Sequence, residues 1–246
     1  DYITKCPPLG EKKRALFTAM LGLKENELFA HQRELIDHVQ KNFDTGILLH
    51  TFATFGAGKT YAILPLAGLL AKEKKEAVTR VLAAKKNKEL PDANDVQRIN
   101  AKLLYVCPQE RIRIELAKLL NQVNCVDSSV TNLGMAYVEK SKFVLQYNAH
   151  LSSPRKNEEL ALKYVDSEAV LDTHPNIIIA SVEAANVLLN QGGEFVVFFD
   201  EFMTDSDQPT SQIFKSNMDL LKRITLLKRV ILLYLLKNLQ PIYHLK

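Results

Sequence analysis

The sequence predicts an α/β fold, with a mostly parallel sheet and helices on both faces, and three observations carry that expectation. First, short apolar runs recur along the chain: ILLHT (47–51), LLYVC (103–107), FVLQY (143–147), IIIAS (177–181), FVVFF (195–199) and RVILL (229–233). They are uninterrupted instead of alternating, as strands buried on both faces must be. Second, amphipathic stretches lie between them. HQRELIDHVQKN (31–42) places Leu35, Ile36 and Val39 on one helical face, and ERIRIELAKLLNQV (110–123) does the same with Ile112, Leu116, Leu119 and Leu120. Third, TYAILPLAGLLA (60–71) is apolar nearly all round, as befits a helix sunk against a sheet; Pro65 stands close enough to its start to be accommodated.

Two regions fit this alternation poorly. Residues 72–101 are lysine-rich and broken by LPDAND, which predicts a solvated insertion, helical in its first part. Residues 126–175 are weakly patterned, with one strand candidate and an exposed loop at SSPRKNEE. There is no internal repeat and no linker that divides the chain into two cores, so residues 28–246 are taken as one lobe and 1–27 as an N-terminal extension.

With 246 residues, 47% of them hydrophobic and 24% charged, the chain is long enough for one large core. Its net charge of +4 permits contact with nucleic acid without arguing for it. Cys6, Cys107 and Cys125 are few and scattered, offering neither a disulfide framework nor a metal pair, and point to a reducing compartment. No stretch approaches the roughly 18 apolar residues a membrane span needs. The N-terminus lacks the layout of a secretory signal, so the expected location is intracellular, in cytoplasm or nucleus, for a host or viral protein. The absence of an initial Met suggests a piece of a longer chain.

The chemistry begins at GAGKT (56–60), which lies between an apolar run and the apolar helix. A loop that wraps a phosphate with its N–H groups inward needs backbone conformations that a side chain would block, and Gly56 and Gly58 supply them around Ala57. Lys59 is placed to reach the β- and γ-phosphates of ATP, Thr60 to offer its hydroxyl to Mg²⁺, and the helix start to add its positive dipole end. FVVFFDEFM then delivers Asp200 and Glu201 at the C-terminal end of a buried run, the edge where ligands bind in open α/β sheets. Asp200 is the candidate metal carboxylate and Glu201 the candidate for positioning the attacking water.

These stretches, in this order, resemble the first RecA-like lobe of a superfamily 2 helicase or translocase, a P-loop NTPase, over about residues 28–233. FAHQRELI is similar to the glutamine-bearing segment upstream of the P-loop, which puts Gln32 where that family contacts adenine. ATFGAGKT resembles A-x-T-G-x-G-K-T, including Ala53. LLYVCPQERIRIEL looks like the strand-Pro-helix element with Pro108, IIIASVEAANVLL like the following element with Ser181 and Glu183, and DEFM stands where DEAD or DExx belongs. The resemblance implies ATP hydrolysis coupled to movement along, or remodelling of, single- or double-stranded RNA or DNA. It also implies that the Pro108 and Ser181 elements touch the sugar-phosphate backbone, with salt-sensitive, sequence-independent binding. Arg111 and Arg113 are either phosphate contacts or solvated positions on an amphipathic helix.

The pattern departs in three places. Thr54 and Phe55 replace the usual Pro and Thr of the loop. LKRVILL resembles the strand leading into the family's Ser-Ala-Thr element, but YLLKNLQ follows it. The second RecA-like lobe, with its arginine finger, is not in this sequence, so a second lobe or partner subunit is implied; a missing arginine costs about 10³ to 10⁵ in rate in comparable phosphoryl transfers. Two other readings stay open: a helicase-like lobe kept as a structural or regulatory subunit, and an oligomeric P-loop motor that borrows its arginine from a neighbour. The six histidines have no zinc spacing, no G-x-S-x-G elbow is present, Cys107 fits a core position, and with no Trp there is no evident base-stacking platform.

Overall fold

The structure, a computed structural model, describes residues 10–45, 47–53, 58, 60–124, 135–139, 142–146, 162–165, 177–191, 194–200, 212–226 and 230–236. Its strands are β1 Ile47–Ala53, β2 Lys102–Val106, β3 Met135–Glu139, β4 Lys142–Gln146, β5 Leu162–Val165, β6 Ile177–Ala180, β7 Phe195–Phe199 and β8 Val230–Leu236. Its α-helices are α1 Glu11–Leu21, α2 Ala30–Lys41, α3 Ile63–Lys86, α4 Ala93–Asn100, α5 Glu110–Asn124, α6 Val182–Gln191 and α7 Gln212–Leu226.

The strands form one sheet in the order β1-β8-β7-β2-β6-β3-β4-β5. All pairings from β1 through to β3 are parallel, and the β3–β4 and β4–β5 pairings are antiparallel. The six apolar runs therefore fall on six strands, and β4 is the one that does not run parallel to its neighbours. Only two residues separate β3 from β4, a connection short enough to join antiparallel strands and far too short for a parallel crossover.

Alternate residues of the central strands enter two separate cores. Leu103, Tyr105, Ile177, Ile179, Val196 and Phe198 pack with α1, α2, α3 and α5. Leu104, Val106, Ile178, Ala180, Phe195, Val197 and Phe199 pack instead with α6 and α7. Helices thus cover both faces, and because neither face meets water the strands could not carry a polar alternation. The face also changes when the direction of winding does. The crossovers β1-α3-β2 and β2-α5-β3 step towards β3, whereas β6-α6-β7 and β7-α7-β8 step back towards β1. Helices on opposite faces give all four the same hand, as the rule for parallel crossovers demands.

Of the expected helix faces, Leu35, Ile36, Val39, Leu116 and Leu120 are buried, and Ile112 and Leu119 pack partly buried against the same core. Helix α1, from the stretch taken as an extension, belongs to that core through Phe17, Met20 and Leu21. It crosses α3 so closely that a Cβ on Gly68 would fall on the Leu21 carbonyl, 2.9 Å from its carbon.

The lysine-rich stretch is helical as expected in its first part, but as a continuation of α3 to Lys86, after which α4 folds back. Asp92 caps α4 by accepting the Asn94 N–H at 2.9 Å. The pair is clasped by Arg80, whose Nε and Nη2 donate to Asp95 at 2.9 and 2.7 Å, and by Arg98, which bonds Asp44 and Asp95 and lies 3.6 Å from Glu73. Arg98 also sits 5.8 Å over the Phe43 ring, tying α4 to the turn that precedes β1. Among the described residues no helix is long and apolar enough to cross a membrane.

Candidate nucleotide and metal site

One row of paired residues crosses six strands: His50, Leu233, Phe199, Val106, Ala180 and Val138. It marks the C-terminal edge of the sheet. Asp200 directly follows β7 there, Cys107 and Pro108 follow β2, and Ser181 follows β6. Beyond this row β1 and β8 continue together, with Phe52 opposite Leu235 and Ala53 opposite Leu236. The GAGKT loop is thus launched from a taller strand, two places along the sheet from the strand that carries Asp200.

Despite that offset the two halves meet. Thr60, at the start of a single 3-10 turn leading into α3, donates its hydroxyl to Asp200 Oδ2 at 3.2 Å, across 140 residues of sequence. Asp200 is 2% exposed, and its own N–H donates to the Val106 carbonyl at 2.8 Å, which extends the β7–β2 ladder by one bond. The carboxylate is therefore anchored by backbone as well as side chain. A second donor went unforeseen: the Tyr105 hydroxyl, from the neighbouring β2, reaches the same Oδ2 at 2.7 Å. Tyr105 is fully buried, its ring stacked on Phe198 at 5.4 Å between centroids. Burial, reinforced by the Asp200 charge, pushes its hydroxyl well above the usual tyrosine range, so it stays a donor. The available signal was a lone hydroxyl-bearing residue within an otherwise aliphatic run, LLYVC.

Gly58 has φ +74°, the left-handed conformation that favours glycine, and a Cβ there would sit 3.3 Å from the Phe29 ring. Its carbonyl accepts the Tyr61 N–H at 3.1 Å and the Gln32 side-chain amide at 3.4 Å. Gln32 is completely buried, and its Oε1 accepts the Phe29 N–H at 3.1 Å. In the described structure Gln32 therefore links the first turn of α2 to Gly58 of the GAGKT loop. Phe29 is half exposed beside it, stacked 5.9 Å from His31, whose ring burial holds below the usual histidine range.

Ala53 is the last residue of β1, and Gly56, Ala57, Lys59 and Glu201 lie outside the described residues, as do Thr54 and Phe55. Pro108 is half-buried one strand beyond Asp200 and Arg111 is exposed on α5. Ser181 is 4% exposed two strands beyond, where its Oγ accepts the Ala184 N–H at 3.2 Å and so caps α6. Arg113 corrects one expectation. It is neither solvated nor available to a phosphate: it is 2% exposed, and Nη1 donates to the carbonyls of Cys107 at 2.7 Å and Pro108 at 2.9 Å. The face of α5 that carries Leu116, Ala117 and Leu120 also carries position 113, so the guanidinium is drawn in to bind the carbonyls where β2 ends.

Thr60 and Asp200 form a donor set suited to a hard cation. A threonine hydroxyl that donates its hydrogen bond to a carboxylate keeps its lone pairs for a metal, and the carboxylate supplies the negative charge that Mg²⁺ prefers. Among the described residues no cluster of three His, Cys, Asp or Glu could hold a metal by itself, so a cation here would complete its shell with water and phosphate oxygens. Neither a known family model nor a curated protein matches the chain.

Proposed function

We propose that this chain is the ATP-binding lobe of a nucleic-acid-dependent ATPase of the superfamily 2 helicase or translocase kind. The observation that carries the reading is the Thr60–Asp200 hydrogen bond, which joins the end of a glycine-lysine-threonine loop to the acid at the end of a buried parallel strand. Such a pairing has a purpose when both groups serve one bound Mg²⁺–nucleotide.

On this reading Gly56, Ala57 and Gly58 direct backbone N–H groups at the phosphates, Ala53 leads the loop off the sheet, and Lys59 neutralises the β- and γ-phosphates. Thr60 and Asp200 would hold Mg²⁺, which would supply positive charge to the phosphate oxygens. Glu201, next to Asp200, orients the attacking water. Gln32, completely buried and bonded to Gly58, would support the loop, and the adenine contact that the resemblance implies would require its amide to be uncovered. Nucleic acid would run along the same sheet edge, past Pro108 and Arg111 towards Ser181. A second lobe or partner subunit would contribute the arginine that completes transition-state stabilisation.

The test is ATP turnover by the longest form of the chain, with and without single-stranded RNA or DNA, beside Lys59→Ala and Glu201→Gln. Turnover stimulated by nucleic acid and lost by at least 10²-fold in both variants is expected. Nucleotide binding that depends on Lys59, with no turnover under any condition, would replace the motor by a nucleotide-stabilised structural subunit. No Mg²⁺-dependent nucleotide binding at all would overturn the site assignment.

A further inference from the structure

We infer that Tyr105 is a positioning residue of the cation site, fixing Asp200 from beneath and, through Asp200, fixing Thr60. The inference rests on the nucleotide reading above and adds a residue to it that lies on a different strand from either half.

Two hydroxyls converge on one oxygen, Asp200 Oδ2, and they differ in freedom. Tyr105 is fully enclosed, its backbone is paired on both sides within the sheet, and its ring is held against Phe198. Thr60 is only partly buried and stands at the mouth of the loop. The tyrosine is thus the rigid member. A carboxylate can otherwise swing about its last torsion, a broad and roughly two-fold rotation. Being acceptor-only, it must accept the hydrogen bond that Tyr105 donates, and the 2.7 Å bond sets which oxygen faces Thr60. Thr60 then donates its own hydrogen bond to that oxygen, and its lone pairs are aimed by default at the space where a cation would sit. The chain of effect runs from Tyr105 to Asp200 to Thr60, each link a hydrogen bond.

Groups that orient a metal's ligands in this way typically alter metal affinity about 10- to 100-fold when removed. Tyr105→Phe deletes the hydroxyl and keeps the ring that stacks on Phe198. The experiment follows binding of a fluorescent ATP analogue while Mg²⁺ is titrated, and again in excess chelator. Tyr105→Phe should raise the Mg²⁺ midpoint by about 10-fold or more, with chelator-insensitive nucleotide binding unchanged. In an Asp200→Asn background the same substitution should have no further effect on the midpoint, because the link it acts through is already cut.

Leu188→Ala removes packing from the core on the opposite face of the sheet without touching Tyr105 or Phe198, and should leave the midpoint at the parent's. If Tyr105→Phe leaves the parent's midpoint in place, or if Leu188→Ala moves it as far, Tyr105 is a core residue and the inference is wrong. If the parent protein itself shows no Mg²⁺ dependence, the nucleotide reading fails instead, and the two failures are told apart in one titration series.

Discussion

Replacing Gly68 with alanine should destabilise this protein, although the same change inside a helix ordinarily stabilises by about 1 kcal/mol. Gly68 lies within α3, where α1 crosses it. An alanine Cβ there would lie 2.9 Å from the Leu21 carbonyl carbon and 3.3 Å from its Cα, with the carbonyl oxygen nearer still. Comfortable carbon–carbon separation is roughly 3.5–4.0 Å, so α1 must retreat on the order of 1 Å. What has to move is backbone instead of a flexible side chain, which puts the overpacking cost at the top of its usual range, about 3 kcal/mol. Subtracting the helix-propensity gain leaves a net loss of about 2 kcal/mol, or roughly 4–8 °C in Tm for a chain of this size. The ceiling is loss of α1 altogether: Phe17, Met20 and Leu21 are all buried, and at about 2 kcal/mol each they sum to about 6. The assay is thermal and urea unfolding followed by circular dichroism, with Gly10→Ala as control, since a Cβ at Gly10 meets nothing within 4 Å. A Gly68→Ala protein as stable as the parent, or more so, would refute the close crossing. Because Phe17 of α1 lies 5.3 Å from the ring of Tyr61, next to Thr60, the substitution should also weaken nucleotide binding.

Two further outcomes are expected. The hydrogen bonds from Arg80 hold the Asp95 carboxyl below the usual aspartate range; its contribution is therefore complete above the unfolded value of about 3.9 and is lost as pH falls through the lower folded value. Urea midpoints measured from pH 6 down to pH 3 should drop in that acid window, and Asp95→Asn should lower the neutral-pH midpoint while flattening the drop. Arg113→Ala strips the Cys107 and Pro108 carbonyls of their shared charged donor, which at about 1.5–3 kcal/mol per such bond predicts a loss of about 3 kcal/mol or more in urea unfolding; weakened nucleic-acid binding with unchanged stability would restore it to the surface.

The sheet was legible because its central strands are buried on both sides. FVVFF and IIIA carry no polar residue that could have pointed to solvent, and each of the two cores takes alternate members of the first run. Strands β3 and β5 were not legible. MAYVE and LKYV are short, carry charge, and lie at or next to the antiparallel margin, where pairing is dictated by a two-residue hairpin more than by composition. The same division holds at the site. Thr60 and Asp200 announce themselves because a loop and a strand end each demand particular residue types. Tyr105 does not, since its meaning lies in the register that sets β2 beside β7. Arg113 was misjudged for a related reason: helical periodicity puts arginine on the wet face unless partners are known, and its partners are carbonyls, which every residue has.

The place of β8 in the sheet has a consequence in time. Among the described residues β1 pairs with no strand but β8, and β8 in turn is what joins it to β7. Until residues 230–236 have emerged from the ribosome and inserted, the strand that launches the GAGKT loop has nothing to register against. The loop and its acid partner can be complete in sequence long before they are opposed in space. Nucleotide binding in a growing chain should therefore switch on late and abruptly, with the arrival of a strand that contributes no residue of its own to the proposed site.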